Sequence, residues 1–352
     1  MKVLILAGGT GGHVYPALSV AKEFKRDRNS IFWIGKKASL ESKLSKEEGF
    51  NFISLETKGF KGKTIFGKII SLIYLEINLV KSIFIISKIK PDIVFSTGGY
   101  VTLAPALAAY ILSIPLFIHE QNSVPGLVNK ILNRLSRLTF EAFPSSFNNS
   151  PKIHTVGNPV RSDIINRPPQ QPNIKDHFNI LILGGSQGSN QLNEIVLKSF
   201  EGKAIPSHWR ILHQIGDLDK SSIVKAYSKQ SFSYEVVPYI ENIGSAYHDS
   251  DLVIGRSGAM TISEICCSSK PSILFPLPWA ADNHQYFNAK FLEDKEASIL
   301  LESSLDSADC LFELINDLEK DHNARHSMSL NAFDAFPVSS GNRIVEIINE
   351  SF

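Results

Sequence analysis

Two glycine-rich runs carry the first chemical signal in this chain. Gly8-Gly9-Thr10-Gly11-Gly12-His13 follows the apolar residues 3–7, and Gly184-Gly185-Ser186-Gln187-Gly188 follows the apolar residues 180–183. Glycine removes the Cβ from a turn, so backbone amides there can approach an anion, and the N-terminus of a following helix favours negative charge. Such a loop suits a phosphate or diphosphate. A plain tight turn into a helix is the simpler alternative for either loop alone. A dinucleotide site would also want an acid about 20 residues on, at the end of the second strand, to hold a ribose. Here the second strand ends Gly35-Lys36-Lys37, which argues against a nicotinamide dehydrogenase.

Other reactive groups sit at comparable places. His13, at a helix start, can act as a base or touch a phosphate; a capping or packing histidine is the bland alternative. His119-Glu120-Gln121-Asn122 follows an expected strand at 114–118, where open α/β sheets bind ligands. Glu120 can accept a proton from a hydroxyl there, or belong to a polar turn. Gly98-Gly99-Tyr100 is a third glycine turn after a strand.

The most informative segment is 251–264, a strand, a glycine loop and a helix start. Thr261, Ser263 and free helix-terminal amides there suit a diphosphate. Glu264 can hold ribose hydroxyls, or simply favour the helix dipole. A Pro-rich loop then leads from Pro276 to Asp282-Asn283-His284-Gln285, and Gln285 has donors and acceptors for sugar hydroxyls.

These groups need a scaffold, and the sequence supplies it twice. Each glycine run sits between a short apolar stretch and an amphipathic pattern: Ala17, Leu18, Val20, Ala21, Phe24 in one case and Leu192, Ile195, Val196, Phe200 in the other. Strand, loop and helix in that order open a doubly wound α/β domain, so two such domains are expected. Further buried strands are expected at 31–35, 92–96 and 114–118, then at 210–214, 234–237, 251–254 and 272–275. The Pro-rich polar stretch 166–176 is the expected linker. The domains then run 1–165 and 166–340, with a final short helix in 341–352 that can pack back on the first.

Composition is that of a globular protein, with 43% hydrophobic and 20% charged residues in 352. Cys266, Cys267 and Cys310 form no metal-ligand or disulfide pattern, which fits a reducing cytosol. The apolar start is too short for a secretory signal. The net charge of +1 conceals an asymmetry: residues 1–161 hold 21 Lys/Arg against 10 Asp/Glu, and residues 162–352 hold 15 against 25. A basic half favours an anionic membrane surface or substrate.

Six motifs, in order across nearly the whole chain, resemble the MurG-type UDP-N-acetylglucosamine transferases that convert lipid I to lipid II in peptidoglycan synthesis. They are GGTGGH at 8–13, HEQN at 119–122, GNPVR at 157–161, GGSQG at 184–188, RSGAMTISE at 256–264 and DNHQ at 282–285. One variation is His284 beside Gln285, where some members carry a Gln pair. The resemblance implies a GT-B architecture: two Rossmann-like domains facing across a cleft, with no obligatory metal or cofactor. It places Arg161, Ser186, Ile240, Ala259, Met260, Thr261, Ile262, Ser263, Glu264 and Gln285 around UDP-N-acetylglucosamine. Thr10, Gly11, Gly12 and Asn122 would reach the donor from the N-terminal domain. His13 and Glu120 fall where the family places groups tied to catalysis or acceptor binding. The implied partners are the donor, lipid I, an anionic membrane surface and other cell-wall synthesis proteins, with no nucleic acid. The implied location is the cytoplasmic face of the cell membrane.

Residues 65–90 bear on that location. They carry two apolar helical stripes, Ile69-Ile73-Ile77-Val80-Phe84 and Leu72-Leu75-Leu79-Ile83-Ile86, interrupted by Lys68, Glu76, Lys81 and Lys88. Within 65–90 no uncharged run approaches the roughly 18 residues of a spanning helix. One stripe can pack on a sheet; the other needs a membrane or a second core face. Alternative functions are a transferase with another lipid acceptor such as diacylglycerol, a UDP-N-acetylglucosamine 2-epimerase, and a non-catalytic membrane scaffold.

Overall fold

The structure, a computed structural model, describes residues 1–56, 65–165, 176–185 and 188–352, with the side chains of 65–69 and 281 outside the description. The expected linker therefore lies almost wholly outside the described residues. The chain divides into two compact units, residues 1–160 with 339–352, and residues 161–338. The division falls at Val160, ahead of the expected boundary near 165. Ile164 is buried, and the Asp163 carbonyl accepts from His248 of the second unit.

The first unit runs β1 (Lys2–Leu6), α1 (Gly11–Arg26), β2 (Ser30–Gly35), α2 (Leu40–Glu47), β3 (Asn51–Ser54), α3 (Ile65–Ile89), β4 (Ile93–Ser96), α4 (Tyr100–Ile111), β5 (Leu116–Glu120), α5 (Leu127–Asn133), β6 (Leu138–Glu141) and β7 (Ile153–Thr155). Among the described residues its sheet is fully parallel, in the order β3-β2-β1-β4-β5-β6-β7. The unbroken apolar run of β1 follows from burial on both faces. Its side chains alternate: Val3 and Ile5 join a core with α1, and Leu4 and Leu6 join the opposite core with α4.

The second unit repeats the plan with β8 (Phe178–Leu183), α6 (Asn190–Phe200), β9 (Trp209–Gln214), α7 (Ser221–Tyr227), β10 (Ser233–Val237), α8 (Ile243–Asp249), β11 (Leu252–Gly255), α9 (Ala259–Ser268), β12 (Ser272–Leu274), α10 (His284–Glu293), β13 (Ser298–Leu300), α11 (Ser307–Lys320) and α12 (His322–Ala335). The described strands are again parallel, ordered β10-β9-β8-β11-β12-β13. Both units are Rossmann-like. The chain then returns: α13 (Ser340–Glu350) lays Ile344, Val345, Ile347 and Ile348 into the first unit's core beside α1.

One stripe of α3 is buried. Ser71, Asn78, Ser82 and Ile86 are covered, and Leu75, Leu79 and Ile83 pack against the same core as β4 and α4. The other stripe is bare: Ile73, Ile77, Val80 and Phe84 are exposed, Phe84 at 73%, with Leu72 beside them. A helix buried on both sides is thus excluded for the described side chains; that of Ile69 lies outside them. By length and composition Ile70–Ile89, with a mean hydropathy of 1.7, can cross a membrane, although interior charges break the run. Its place argues otherwise. It lies in the crossover from the edge strand β3 to β4 on the far side of β1 in one parallel sheet, and one face already packs on that sheet's core.

Candidate active site

In the first unit β1 and β4 are neighbours from which the chain leaves toward opposite halves of the sheet, which opens a crevice at their carboxyl ends. The glycine loop at 8–10 and the turn at 97–99 meet there. Gly99 has φ +94°, and a Cβ on it would stand 2.4 Å from the Gly8 carbonyl oxygen. Only glycine allows this approach. Thr10 is the exposed N-cap of α1; Gly11 and Gly12 form its half-buried first turn.

His13 lies in that first turn, with its ring held between two oxygens. Nδ1 is 2.8 Å from the Thr97 carbonyl and 2.8 Å from Gln121 Oε1. Both are acceptors, so the ring proton sits on Nδ1 and the lone pair on Nε2. Thr97 Oγ1 donates back to the His13 carbonyl at 2.9 Å.

His119 and Glu120 are part of β5 and do not follow it as expected. Proline at 115 has no N–H, and the strand starts after it, running on to Glu120 in pairing with β6. Glu120 is 1% exposed and surrounded by donors. Its Oε1 accepts from Asn122 N at 3.0 Å and Asn122 Nδ2 at 3.3 Å; its Oε2 accepts from Gly126 N at 3.0 Å and Asn129 Nδ2 at 2.9 Å. This carboxylate pins the turn into α5. His119 is fully buried and donates from Nε2 to the Gly157 carbonyl at 3.0 Å. Burial pulls its pKa down to about 4, the Gly157 carbonyl opposing and His13 reinforcing, so the ring is neutral.

The second unit has the same crevice between β8 and β11. Gly188 has φ +74°, and a Cβ there would fall 2.1 Å from the Ile215 carbonyl oxygen. Ser186 lies outside the described residues. Arg256, just past β11, is buried, and its contacts are neutral oxygens: Ser189 Oγ at 2.7 Å, Gln191 Oε1 at 3.0 Å, Ser303 Oγ at 2.5 Å and the Phe275 and Pro276 carbonyls at 3.1 and 3.4 Å. Burial lowers its pKa to about 10, which leaves it charged at neutrality.

Helix α9 starts beyond Gly258, and helix geometry leaves its first amides without intrahelical acceptors. Met260 and Thr261 are half-buried there, and Ala259 and Ile262 turn their side chains into the protein. The Ser263 hydroxyl is buried and donates to the Ala259 carbonyl at 2.9 Å, so it faces its own helix. Glu264 accepts from the Tyr247 hydroxyl at 3.1 Å. Burial pushes its pKa up to about 7, while Arg161 and the Tyr247 bond pull the other way and Asp163 adds to the rise. Gln285 Oε1 accepts from Leu277 N at 3.0 Å, and its carbonyl accepts from Ser257 Oγ at 2.8 Å. Ile240 donates its N–H to Gln214 Oε1 at 3.0 Å, and Gln214 Nε2 reaches the Gly185 carbonyl at 3.3 Å.

Sequence reasoning did not single out Arg256, Gln214, Tyr247 or Thr97. Arg256 and Gln214 had a signal: each is polar at the carboxyl end of a central strand. Tyr247 had none, because only the fold brings α8 to α9.

Comparison with known proteins identifies the family. Residues 3–140 match the glycosyltransferase family 28 N-terminal domain, and residues 179–344 match the family's C-terminal domain. The UDP-N-acetylglucosamine--N-acetylmuramyl-(pentapeptide) pyrophosphoryl-undecaprenol N-acetylglucosamine transferase of Coxiella burnetii is 37% identical over 318 residues, covering 88% of this chain and 87% of that one. The crystal structure of Acinetobacter baumannii MurG superposes with a TM-score of 0.83 at 29% identity, over 99% of this chain and all of that one. A UDP-GlcNAc 2-epimerase from Neisseria meningitidis, bound to UDP-GlcNAc, has a TM-score of 0.71 at 14% identity over 99% of this chain and 100% of that chain, and shares the fold alone. Fold and sequence together define a glycosyltransferase built of two Rossmann-like units. Within that class the chain belongs to glycosyltransferase family 28, alongside the MurG-type UDP-N-acetylglucosamine transferases.

Proposed function

We propose that this protein transfers N-acetylglucosamine from UDP-N-acetylglucosamine to the 4-hydroxyl of the N-acetylmuramyl-pentapeptide of lipid I, giving lipid II with inversion at the anomeric carbon. The observation that carries the reading is identity to such transferases across both units. The acceptor oxygen attacks the anomeric carbon as the bond to UDP breaks. His13 Nε2 takes the hydroxyl proton, and Glu120 positions the loop around Asn122 instead of acting as the base. UDP leaves with the electron pair on its β-phosphate. The α9 amides, Thr261 and buried Arg256 offset that charge. Glu264 accepts from the ribose hydroxyls. Ser186, Arg161, Ile240 and Gln285 complete the donor set of the second unit. A UDP-release assay with and without a lipid I analogue tests this. Release only with the analogue is expected. Release with diacylglycerol in its place, or conversion of the donor to its 2-epimer without acceptor, overturns it.

The Glu264 role predicts a pH dependence. A carboxylate with its pKa raised to about 7 is protonated below that pH and accepts hydrogen bonds poorly there. KM for UDP-N-acetylglucosamine should fall as pH rises through about 7, by up to roughly tenfold per pH unit on the acid side. Glu264→Gln should flatten the profile. A flat wild-type profile, or an unchanged slope in E264Q, removes Glu264 from the donor site.

The exposed stripe of α3, with Lys81, Lys88 and Lys90, supports peripheral attachment to the cytoplasmic face of an anionic membrane. Inserting one phenylalanine is worth about 1.5–3 kcal/mol. Phe84→Ser should therefore weaken co-sedimentation with phosphatidylglycerol vesicles by roughly tenfold or more and leave folding intact. Unchanged sedimentation would move the membrane contact elsewhere.

A further inference from the structure

We propose that Gln121, backed by His119, is a positioning residue that fixes which nitrogen of His13 carries the proton; this rests on the reading of His13 as the base. Gln121 Nε2 faces two acceptors, His119 Nδ1 at 3.0 Å and the His119 carbonyl at 2.9 Å. Both demand a donor, so the amide has one orientation and Oε1 turns to His13. His119 is fixed in turn. Its Nε2 donates to the Gly157 carbonyl, so Nδ1 is left to accept. Donors therefore run in one direction, from His13 Nδ1 to Gln121, from Gln121 to His119, and from His119 to Gly157.

Burial supports the arrangement. His119 is inaccessible and Gln121 is 1% exposed, so neither can touch a substrate. A protonated His119 would turn Nδ1 into a donor facing the Gln121 amide donor; its lowered pKa keeps that from happening. The chain is a neutral counterpart of the carboxylate that orients a catalytic histidine in a triad: it steers the lone pair to Nε2 and offers an acceptor once the ring becomes cationic. The Thr97 carbonyl is the second acceptor on Nδ1. Removing Gln121 should therefore weaken the preference without abolishing it.

The test uses the full-length protein, with Gln121→Met, which keeps the volume and loses the acceptor, and Gln121→Ala beside it in case one fails to fold. Nitrogen-15 long-range correlation spectra, with His13 assigned by comparison with His13→Gln, report the tautomer directly. The wild type should show Nδ1 protonated, and the variants a detectable share of the Nε2-protonated ring. Turnover should fall by roughly tenfold or more, with KM for UDP-N-acetylglucosamine changed by less than about twofold. A ring that stays wholly Nδ1-protonated in both variants overturns the proposal, whatever happens to activity. Normal turnover in His13→Gln would instead overturn the reading of His13 as the base, and the spectra would still decide what Gln121 does.

Discussion

Replacing His13 with Gln is expected to cut turnover by about 100- to 10,000-fold while KM for UDP-N-acetylglucosamine changes little, since a positioned general base contributes on that scale. Glutamine can still donate toward the Thr97 carbonyl and Gln121 Oε1, so the local packing survives. What it lacks is a basic ring nitrogen to accept the hydroxyl proton. The donor-binding groups of the second unit are untouched. Glu120→Gln is the informative companion. All four donors around that carboxylate expect an acceptor, and the substituted amide nitrogen would face two of them. E120Q should therefore lower the melting temperature as well as activity. Steady-state kinetics and thermal unfolding of both variants separate the roles. If H13Q turns over within about threefold of wild type while folded, His13 is not the base.

The scaffold was legible because β1 and β8 are continuous apolar runs that end in glycine, a pattern few other elements produce. The three-residue β7 and β13 were not, because an edge strand needs little apolar sequence, and the interior β6 was not, because four residues with only Leu138 and Phe140 apolar are too few to show a period. For α3, periodicity gave two stripes; which of them faced the core depended on the sheet laid beside it. The site was legible as motifs and silent about geometry. His13 and Glu120 were equal candidates on residue type. What distinguishes them is the pairing of β5 with β6 and the turn into α5, which bury one and engage both its oxygens, while the other keeps Nε2 out of those contacts. Ser263 looked like a phosphate ligand because serines near helix starts often are, but its position in α9 turns it back toward Ala259.

The second large effect is expected at Arg256. Arg256→Met should both destabilise the second unit and raise KM for UDP-N-acetylglucosamine. The guanidinium bridges the N-cap of α6, through Ser189, to the carbonyls after β12 and to Ser303. Methionine fills similar space and leaves these acceptors without their donor, at about 1–3 kcal/mol for each one that water cannot reach. A net loss near 3 kcal/mol would lower the melting temperature by roughly 6–12 °C for a unit of this size. The charge acts separately. Among the described residues its hydrogen-bond partners are all neutral, so Arg256 is a buried cation at the mouth of the β8–β11 crevice, and on the proposed reading an arriving diphosphate supplies the counter-charge. Losing it should raise KM about 10-fold or more. Arg256→Lys distinguishes the two contributions: an ammonium keeps the charge but cannot span the same acceptors. It should recover most of the KM and little of the melting temperature. Recovery of neither would mean that the guanidinium serves only to brace the loop; recovery of both would mean that its many hydrogen bonds matter less than its charge.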